Sequence, residues 1–350
     1  MNVIAVSIQS PALPDPMKRL RVVPRFNIIA DAIHLPDVSS VPSYALEALQ
    51  EDALRPICKA CGTQYPSARE DCPICEDPRQ FVPASGQAWS SLAELGSTSK
   101  HALLPDSEDE RICHIQTEPA FGINQTPLLI QTHGGSYIWD CAAFLSLGLI
   151  GHLTTLKNPL KAIAISHPHF YATSLTWSRA LKVPLYICEA DKEWFQRLDD
   201  VKDSDDVRFW LGEEDLGPGV RLIQCGGHFA GSSILHWDRL QEPAPPSDNL
   251  PTKPTPVSGI IFTADTIMVQ PTQTRFTFLW SAPNMIPLRP KDVLAIQERL
   301  KPIPFHQATS SWPNRWIRTD AKQVLAESVV AYLAAEGWRV DENKLVELIT

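Results

Sequence analysis

The sequence lacks any apolar run long enough to cross a membrane. A membrane helix needs roughly 18–20 apolar residues, and the longest candidate run, which begins at Cys141, is about half that length. The sequence also lacks a basic excess, because 31 lysines and arginines face 40 aspartates and glutamates, for a net charge of −9. Nucleic-acid binders usually present a basic face. The composition therefore excludes an integral membrane protein, collagen and a coiled coil, and it argues against a nucleic-acid partner.

The N-terminal segment lacks the basic start and the long apolar stretch of a secretory signal. We therefore expect a reducing, cytoplasmic location, while the basic residues Lys18, Arg19, Arg21 and Arg25 leave a mitochondrial transit role open. With 44% apolar and 20% charged residues, the chain has the composition of a protein with a packed core. Its 350 residues allow two or three domains, or one large domain with appendages.

The eight cysteines fall into two groups. Three of the scattered four lie in apolar, strand-like stretches, where a buried free thiol is the expected state. The other four form two C-x-x-C pairs separated by ten residues, a spacing typical of a structural zinc site with four thiolate ligands. Two disulfides or four reduced thiols are the alternatives. The clustered cysteines are Cys58, Cys61, Cys72 and Cys75, and the scattered ones are Cys113, Cys141, Cys188 and Cys225.

In the strand-rich body of the chain, three apolar strands each end in a loop with metal-ligating side chains. The first is followed by His167 and His169, the second by His228 in a glycine-rich turn, and the third by Asp265. Residues two apart in an extended segment project to the same side, so the first two imidazoles can converge. Each histidine alone is also compatible with a core or turn position. Taken together, three histidines and a carboxylate predict a site for zinc, or for iron if the site is open.

The order of these motifs resembles the metallo-β-lactamase fold hydrolases over residues 108–350. The resemblance is carried by the stretches SHPHFY, GGHFAGSS and IIFTADT. It implies an α+β fold, an αββα sandwich with the metal site at one edge of its two sheets, preceded by a small zinc ribbon. It also implies that His167, His169 and His228 bind the first metal, that Asp265 is a bridging or fourth ligand, and that Asp140 supports the site. A ribbon before the hydrolase body is similar to an uncharacterised branch of that superfamily.

The sequence departs from the family pattern at the second metal. The family's loop continues with aspartate and then histidine, whereas this chain has Tyr171 and Ala172. Alanine cannot bind a metal, and a tyrosine with a pKa of about 10 is a poor zinc ligand near neutral pH. His306 is the sole candidate for the family's last histidine, and it precedes the expected loop. We therefore predict one catalytic metal in addition to the ribbon zinc.

These patterns predict three parts of the chain: an extension over residues 1–45, a zinc-ribbon segment over 46–100 and a hydrolase domain over 101–350. The predicted reaction is hydrolysis of an acyl bond in a small molecule by zinc-bound hydroxide, with a lactam, lactone, cyclic carbamate, ester or thioester as substrate. Asp265 is predicted to act at the metal and Tyr171 to donate a hydrogen bond to the substrate, or else to pack. Asp191 is predicted to cap a helix, or to supply the site with a carboxylate together with Glu189. An iron-dependent sulfur dioxygenase and a scaffold with a docking ribbon remain alternatives.

Overall fold

A computed structural model of the protein describes residues 33–34, 41–243, 259–341 and 344–347. Seven helices lie in this part of the chain: α1 Ser43–Asp52, α2 Pro73–Glu76, α3 Leu92–Thr98, α4 Leu147–Thr154, α5 Ser174–Leu181, α6 Pro290–Leu300 and α7 Ala321–Ala335. The strands of the described residues are β1 Ile33–His34, β2 Ile57–Cys58, β3 Trp89–Ser90, β4 Lys100–Pro105, β5 Ile112–Glu118, β6 Leu128–Thr132, β7 Gly135–Trp139, β8 Leu160–Ala164, β9 Leu185–Cys188, β10 Val207–Trp210, β11 Glu213–Gly217, β12 Val220–Gln224, β13 Ser233–Trp237, β14 Ile260–Thr263, β15 Met268–Val269, β16 Phe276–Thr277, β17 Leu279–Ser281, β18 Ile286–Pro287, β19 Gln307–Ser310, β20 Trp316–Ile317, β21 Trp338–Asp341 and β22 Lys344–Glu347.

Two large sheets organise these strands. The first has eight strands in the order β1-β4-β5-β6-β7-β8-β9-β10, and the second has six in the order β11-β12-β13-β14-β19-β20. Strands β7 to β10 pair in parallel, whereas β4 to β7 are antiparallel. In the second sheet, β14 and β19 pair in parallel and the other pairs are antiparallel.

Side-chain alternation along the strands builds the layers. In β6, Leu128 and Ile130 point into a core shared with the second sheet, while Leu129 points to the opposite face and packs beneath helices α1, α4 and α5. In β14, Phe262 points into the shared core and Ile261 packs against α6 and α7. Because each sheet is apolar on both faces, the layers stack as helix, sheet, sheet, helix. The predicted αββα sandwich is confirmed.

The N-terminal part of the chain is more closely joined to the sandwich than the predicted division suggests. Strand β1 lies within the predicted extension, and it pairs antiparallel with β4 at the edge of the first sheet. Helix α1 crosses the boundary predicted at residue 45, and its Ala45 and Ala48 are buried against that sheet's helical layer. The rest of the predicted extension, residues 1–32 and 35–40, lies outside the described residues. Among the described residues, no helix has the length and apolarity needed to span a bilayer.

Candidate metal centres

His167, His169, His228 and Asp265 come together at one edge of the two sheets. The first two follow β8 and lie at the start of a 3-10 turn over Pro168–Phe170. His228 lies in the turn between β12 and β13, and Asp265 directly follows β14. All four side chains are buried, and their potential ligand atoms lie within 4.8 Å of one another. The grouping expected from the three strand ends is therefore present.

The spacing of these atoms matches a small cation. Asp265 Oδ2 lies 3.5 Å from His167 Nε2, 3.8 Å from His169 Nδ1 and 3.7 Å from His228 Nε2, and the last two nitrogens are 3.1 Å apart. Ligands at about 2.1 Å from a tetrahedral zinc ion lie about 3.4 Å from one another. The residues present therefore fit a metal ion at the centre of the group.

His169, His228 and Asp265 have the protonation states that a metal needs. Burial lowers the pKa of His169 to about 4 and the pKa of His228 well below its ordinary value, so both imidazoles are neutral near pH 7. Burial alone would raise the pKa of Asp265, but the favourable electrostatics and hydrogen bonds of the imidazoles around it outweigh burial and hold that pKa well below its usual range. Neutral imidazoles and an ionised carboxylate are the forms that bind metal ions.

Neighbouring groups orient two of these histidines. The Nδ1–H of His228 donates to the carbonyl oxygen of Trp280 at 2.7 Å, which leaves Nε2 free to face the centre. Asp140 directly follows β7, has a positive φ of 70° and is fully buried. Its Oδ1 accepts from the backbone N–H of Ser166 at 2.7 Å, one residue before His167. Asp140 thus has the supporting position that the sequence resemblance implied, and it fixes the start of the histidine loop.

The turn that carries His228 depends on two glycines. Gly226 and Gly227 have φ values of +71° and +89°, a region that side chains with a Cβ rarely adopt. A Cβ on Gly227 would lie 2.7 Å from the hydroxyl oxygen of Thr266, which itself accepts from the backbone N–H of His228. The glycines therefore let this turn approach the loop after β14, which carries Asp265.

The geometry of Tyr171 favours the packing alternative over the predicted role as a donor to the substrate. Its side chain is buried in the core beneath the helices of the first sheet. Its hydroxyl donates to the carbonyl oxygen of Asp191 at 3.1 Å, so its single proton is already engaged. Ala172 is also buried, and its carbonyl accepts from the backbone N–H of Gln64 at 3.1 Å. The alternative interpretation of Tyr171 as a packing residue agrees with this geometry.

Asp191 is not a helix cap. It lies inside a 3-10 turn over Glu189–Trp194, where its buried Oδ1 accepts from the backbone N–H of Gly231 at 2.7 Å. Burial raises its pKa to about 6. Glu189 is exposed and pairs with Lys192. Asp191 therefore supports the loop that carries His228, and Glu189 is not part of the buried group.

His306 also lies apart from the buried histidines. It is half-exposed, and its Nδ1 accepts from the backbone N–H of Asp320 at 3.2 Å and lies 3.5 Å from that residue's carboxylate. Among the residues that the structure describes, the histidine and aspartate group and the cysteine group are the two clusters that could hold a metal ion. Within those residues, no second set of ligands accompanies the histidines.

The four clustered cysteines form the second candidate centre. Cys58 Sγ lies 3.6 Å from Cys75 Sγ, and Cys61 Sγ lies 3.6 Å from Cys72 Sγ. All four are free and buried. A disulfide bond is about 2.05 Å long, whereas thiolates at about 2.3 Å from a tetrahedral zinc lie about 3.8 Å apart. The geometry therefore fits a metal ion and excludes the two-disulfide alternative.

Polar groups around the cysteines suit such an ion. The hydroxyl of Tyr65 lies 3.0 Å from Cys72 Sγ, and the side-chain amide of Gln87 donates to Cys58 Sγ at 3.0 Å. Groups of this kind orient metal ligands and tune their charge. Three of the scattered cysteines, Cys113, Cys141 and Cys188, are buried as expected, and Cys225 is half-buried.

Two residues of the ribbon segment reach the histidine site without any signal in the sequence. The side-chain nitrogen of Gln80 lies 3.3 Å from His169 Nδ1. The guanidinium of Arg79 donates to the carbonyl oxygen of His228 at 3.0 Å and lies 3.6 Å from the ring centre of Phe229. Gln80 is 89 residues from His169 in the sequence, and Arg79 is 149 residues from His228. The short stretch PRQF belongs to no known metal motif.

Comparison with known proteins identifies one relative along most of the chain. No protein-family model matches. The "Uncharacterized protein YmaE" of Bacillus subtilis (strain 168) is 34% identical over 283 residues, which is 80% of this chain and 96% of that protein. The chain belongs to the YmaE family. The shared length exceeds that of the predicted hydrolase domain, so the similarity is not confined to that domain.

Solved structures with a similar arrangement are metallo-β-lactamases at low identity. The enzyme from Pontibacter korlensis is 15% identical with a TM-score of 0.39, covering 67% of this chain and 94% of that one. The class B3 di-zinc metallo-β-lactamase LRA-12 from an Alaskan soil metagenome is 14% identical with a TM-score of 0.38, covering 65% and 89%. Because these identities and TM-scores are low, the assignment of the metallo-β-lactamase fold rests on the layers, strand order and metal-ligand geometry described above.

Proposed function

We propose that this protein is a metal-dependent hydrolase that cleaves an acyl bond of a small molecule. The substrate is a lactam, a lactone, a cyclic carbamate, an ester or a thioester. One observation carries the proposal: three imidazole nitrogens and one carboxylate oxygen converge at the spacing of metal ligands. A zinc ion bound there would supply a Lewis acid and an activated water at neutral pH.

Asp265 is the residue to which we assign proton transfer. Its Oδ2 faces the three histidines, whereas its Oδ1 is buried and has no hydrogen-bond partner among the described residues. A buried carboxylate oxygen without a donor is costly unless another group satisfies it. We propose that Oδ1 accepts the proton released during hydrolysis while Oδ2 remains directed at the metal. Asp140 and Trp280 hold the surrounding loops in place.

The test combines metal content with a screen for hydrolysis. We expect two metal ions per chain in the wild type, one in His167→Ala, and two in the control His306→Ala, whose half-exposed imidazole lies outside the cluster. A panel of chromogenic lactams, lactones, esters and thioesters should give turnover that His167→Ala abolishes and His306→Ala retains. Asp265→Asn should lower kcat by at least about 100-fold, the range for loss of a general base.

Other outcomes would replace the proposal. Iron in the histidine site with oxygen-dependent turnover of a persulfide would assign the protein to the sulfur dioxygenases. A wild-type protein with a single ion that His167→Ala retains would assign it to scaffolds, with the cysteine cluster as its metal site. Three ions per chain would contradict our prediction that one metal binds beside the histidines.

A further inference from the structure

The segment that follows the last cysteine lies directly on the histidine site. Helix α2 contains Cys75 and ends at Glu76, and the chain then continues through residues 77–81, here called the ribbon arm. Arg79 binds the carbonyl oxygen of His228, and its guanidinium pairs with Asp77, which is also largely buried. The ribbon arm thus links the cysteine cluster to the loop that carries a histidine of the other centre.

Hydrogen bonds from the opposite side hold the backbone of the ribbon arm. The side-chain amide of Asn284 donates to the carbonyl oxygens of Pro78 and Gln80, both at 3.0 Å. The hydroxyl of Ser281 donates to the carbonyl oxygen of Arg79 at 2.9 Å. Three consecutive carbonyl groups are therefore bound by the turn between β17 and β18. These hydrogen bonds fix the backbone of the ribbon arm and thereby limit the positions open to the side chain of Gln80.

The side chain of Gln80 lies beside the candidate metal-ligating atoms. Gln80 is 7% exposed, and its amide lies 3.3 Å from His169 Nδ1, the ring atom that also lies 3.1 Å from His228 Nε2. This separation falls within the range found among the four candidate ligands themselves. The nitrogen and oxygen of a glutamine amide are interchangeable by rotation about its last bond. Once Nδ1 of His169 directs its lone pair at a cation, it cannot accept from the amide nitrogen, and the amide oxygen becomes the favourable neighbour.

We propose that Gln80 supplies its amide oxygen as a fifth ligand to the metal held by His167, His169, His228 and Asp265. The inference rests on the proposed function in placing a metal in that group. A neutral oxygen ligand is suited to the site because it leaves the ion with a net charge of +1 after Asp265, whereas a second carboxylate would cancel that charge. The cysteine-bearing segment thereby contributes directly to the catalytic centre.

The experiment compares Gln80→Met, Gln80→Glu and a control, Phe81→Ala, in the full chain loaded with Co²⁺. Methionine keeps the length of glutamine without its oxygen, glutamate keeps an oxygen, and Phe81 is the next residue of the arm with 52% exposure. Charge-transfer absorption bands from thiolate to cobalt report metal binding at the cysteine cluster. The weaker d–d bands report coordination at the histidine site. Zinc affinity at that site is measured by chelator competition.

We expect Gln80→Met to weaken zinc binding at the histidine site by at least about tenfold, as for other groups that support metal ligands. Its d–d bands should intensify as the coordination number falls, with the thiolate bands unchanged. Gln80→Glu should restore wild-type or tighter binding, and Phe81→Ala should match the wild type. Wild-type spectra and affinity in Gln80→Met would overturn the proposal, and so would loss of binding in both Gln80 variants with the thiolate bands intact.

Failure of this inference is separate from failure of the proposed function. If no acyl substrate is hydrolysed but Gln80→Met changes the cobalt spectrum and Gln80→Glu restores it, the assignment of Gln80 stands and the hydrolase proposal falls. If hydrolysis is found and the spectrum of Gln80→Met equals that of the wild type, the hydrolase proposal stands and the assignment of Gln80 falls.

Discussion

Replacing Asp52 by alanine should destabilise the whole protein, because this residue forms a buried ion pair between the ribbon segment and the sandwich. Asp52 ends helix α1 and is fully buried. Arg197, which is 2% exposed, donates to both of its carboxylate oxygens at 2.8 and 3.0 Å, and to the side-chain oxygen of Gln64 at 2.6 Å. The hydroxyl of Thr176 in helix α5 also donates to Asp52 at 2.6 Å. One ion pair therefore joins four segments.

The size of the effect follows from the burial of the pair. Removing one partner of a buried ion pair costs about 3–5 kcal/mol, because the other charge is left without compensation. Arg197 keeps a second partner, Asp200, at 2.7 Å, so we expect the lower value of about 3 kcal/mol. For 350 residues, the entropy of unfolding is about 0.7 kcal/mol per degree, and the expected fall in Tm is about 4 °C.

The pH dependence gives a second readout of the same pair. Burial by itself would raise the pKa of Asp52, but the hydrogen bonds and charge of Arg197 outweigh it and hold the pKa below the ordinary carboxyl value of 3.8. A depressed folded-state pKa stabilises the protein above the unfolded-state value, and this contribution is lost as pH falls through the folded-state value. As the pH falls below about 4, the free energy of unfolding should therefore decrease less in Asp52→Ala than in the wild type.

Urea denaturation at pH 7, with thermal melting as a check, measures the effect against a matched control. Glu298→Ala also removes a carboxylate from an ion pair, but Glu298 and Lys301 are 60% and 68% exposed. Exposed pairs contribute less than about 1 kcal/mol. If Asp52→Ala and Glu298→Ala had the same midpoint of unfolding, the argument that the buried pair fastens the ribbon segment to the sandwich would be refuted.

Two further substitutions test the loops beside the histidines. In Gly231→Ala the new Cβ would lie 2.7 Å from the Asp191 carboxylate and 2.8 Å from Cys188 Cβ. We therefore expect urea denaturation to show a loss of about 2 kcal/mol in the free energy of unfolding. The control Gly96→Ala should be neutral or stabilising, because nothing lies within 4 Å of its new Cβ. Equal stability of these two variants would contradict the close approach. Tyr171→Phe should cost about 1 kcal/mol through loss of its hydrogen bond to Asp191, with metal content and turnover unchanged. A tenfold fall in kcat at unchanged stability would restore the role in substrate binding.

Local patterns in the sequence were enough to predict both clusters of candidate ligands. The two C-x-x-C pairs each form a tight turn, so only their mutual approach depended on the rest of the chain. His167, His169 and Asp265 follow apolar strands, and the ends of strands in packed sheets meet at a common edge. In these cases the spacing of residues along the chain already limits where the side chains can go.

Contacts between distant segments could not be predicted in the same way. Gln80 meets His169 across 89 residues, and nothing in the residues around Gln80 distinguishes it from any exposed polar side chain. The pairing of β1 with β4 could not be predicted for a similar reason, because it depends on the free edge of a sheet whose other strands lie elsewhere in the chain. Asp191 was predicted to cap a helix, but tertiary contact with Gly231 determines its position.

The prediction of a single metal beside the histidines and the position of the ribbon segment concern the same part of the fold. The positions where the metallo-β-lactamase pattern has two further metal ligands are occupied by Tyr171 and Ala172, and both residues make other contacts. The tyrosine hydroxyl fixes the carbonyl of Asp191, and the Ala172 carbonyl receives the backbone N–H of Gln64 from the ribbon segment. An imidazole at position 172 would have to share this buried space with the ribbon. The segment that occupies this region also brings Gln80 to His169, so if our assignment of Gln80 is right, the ribbon segment adds one neutral ligand at the site of the histidines.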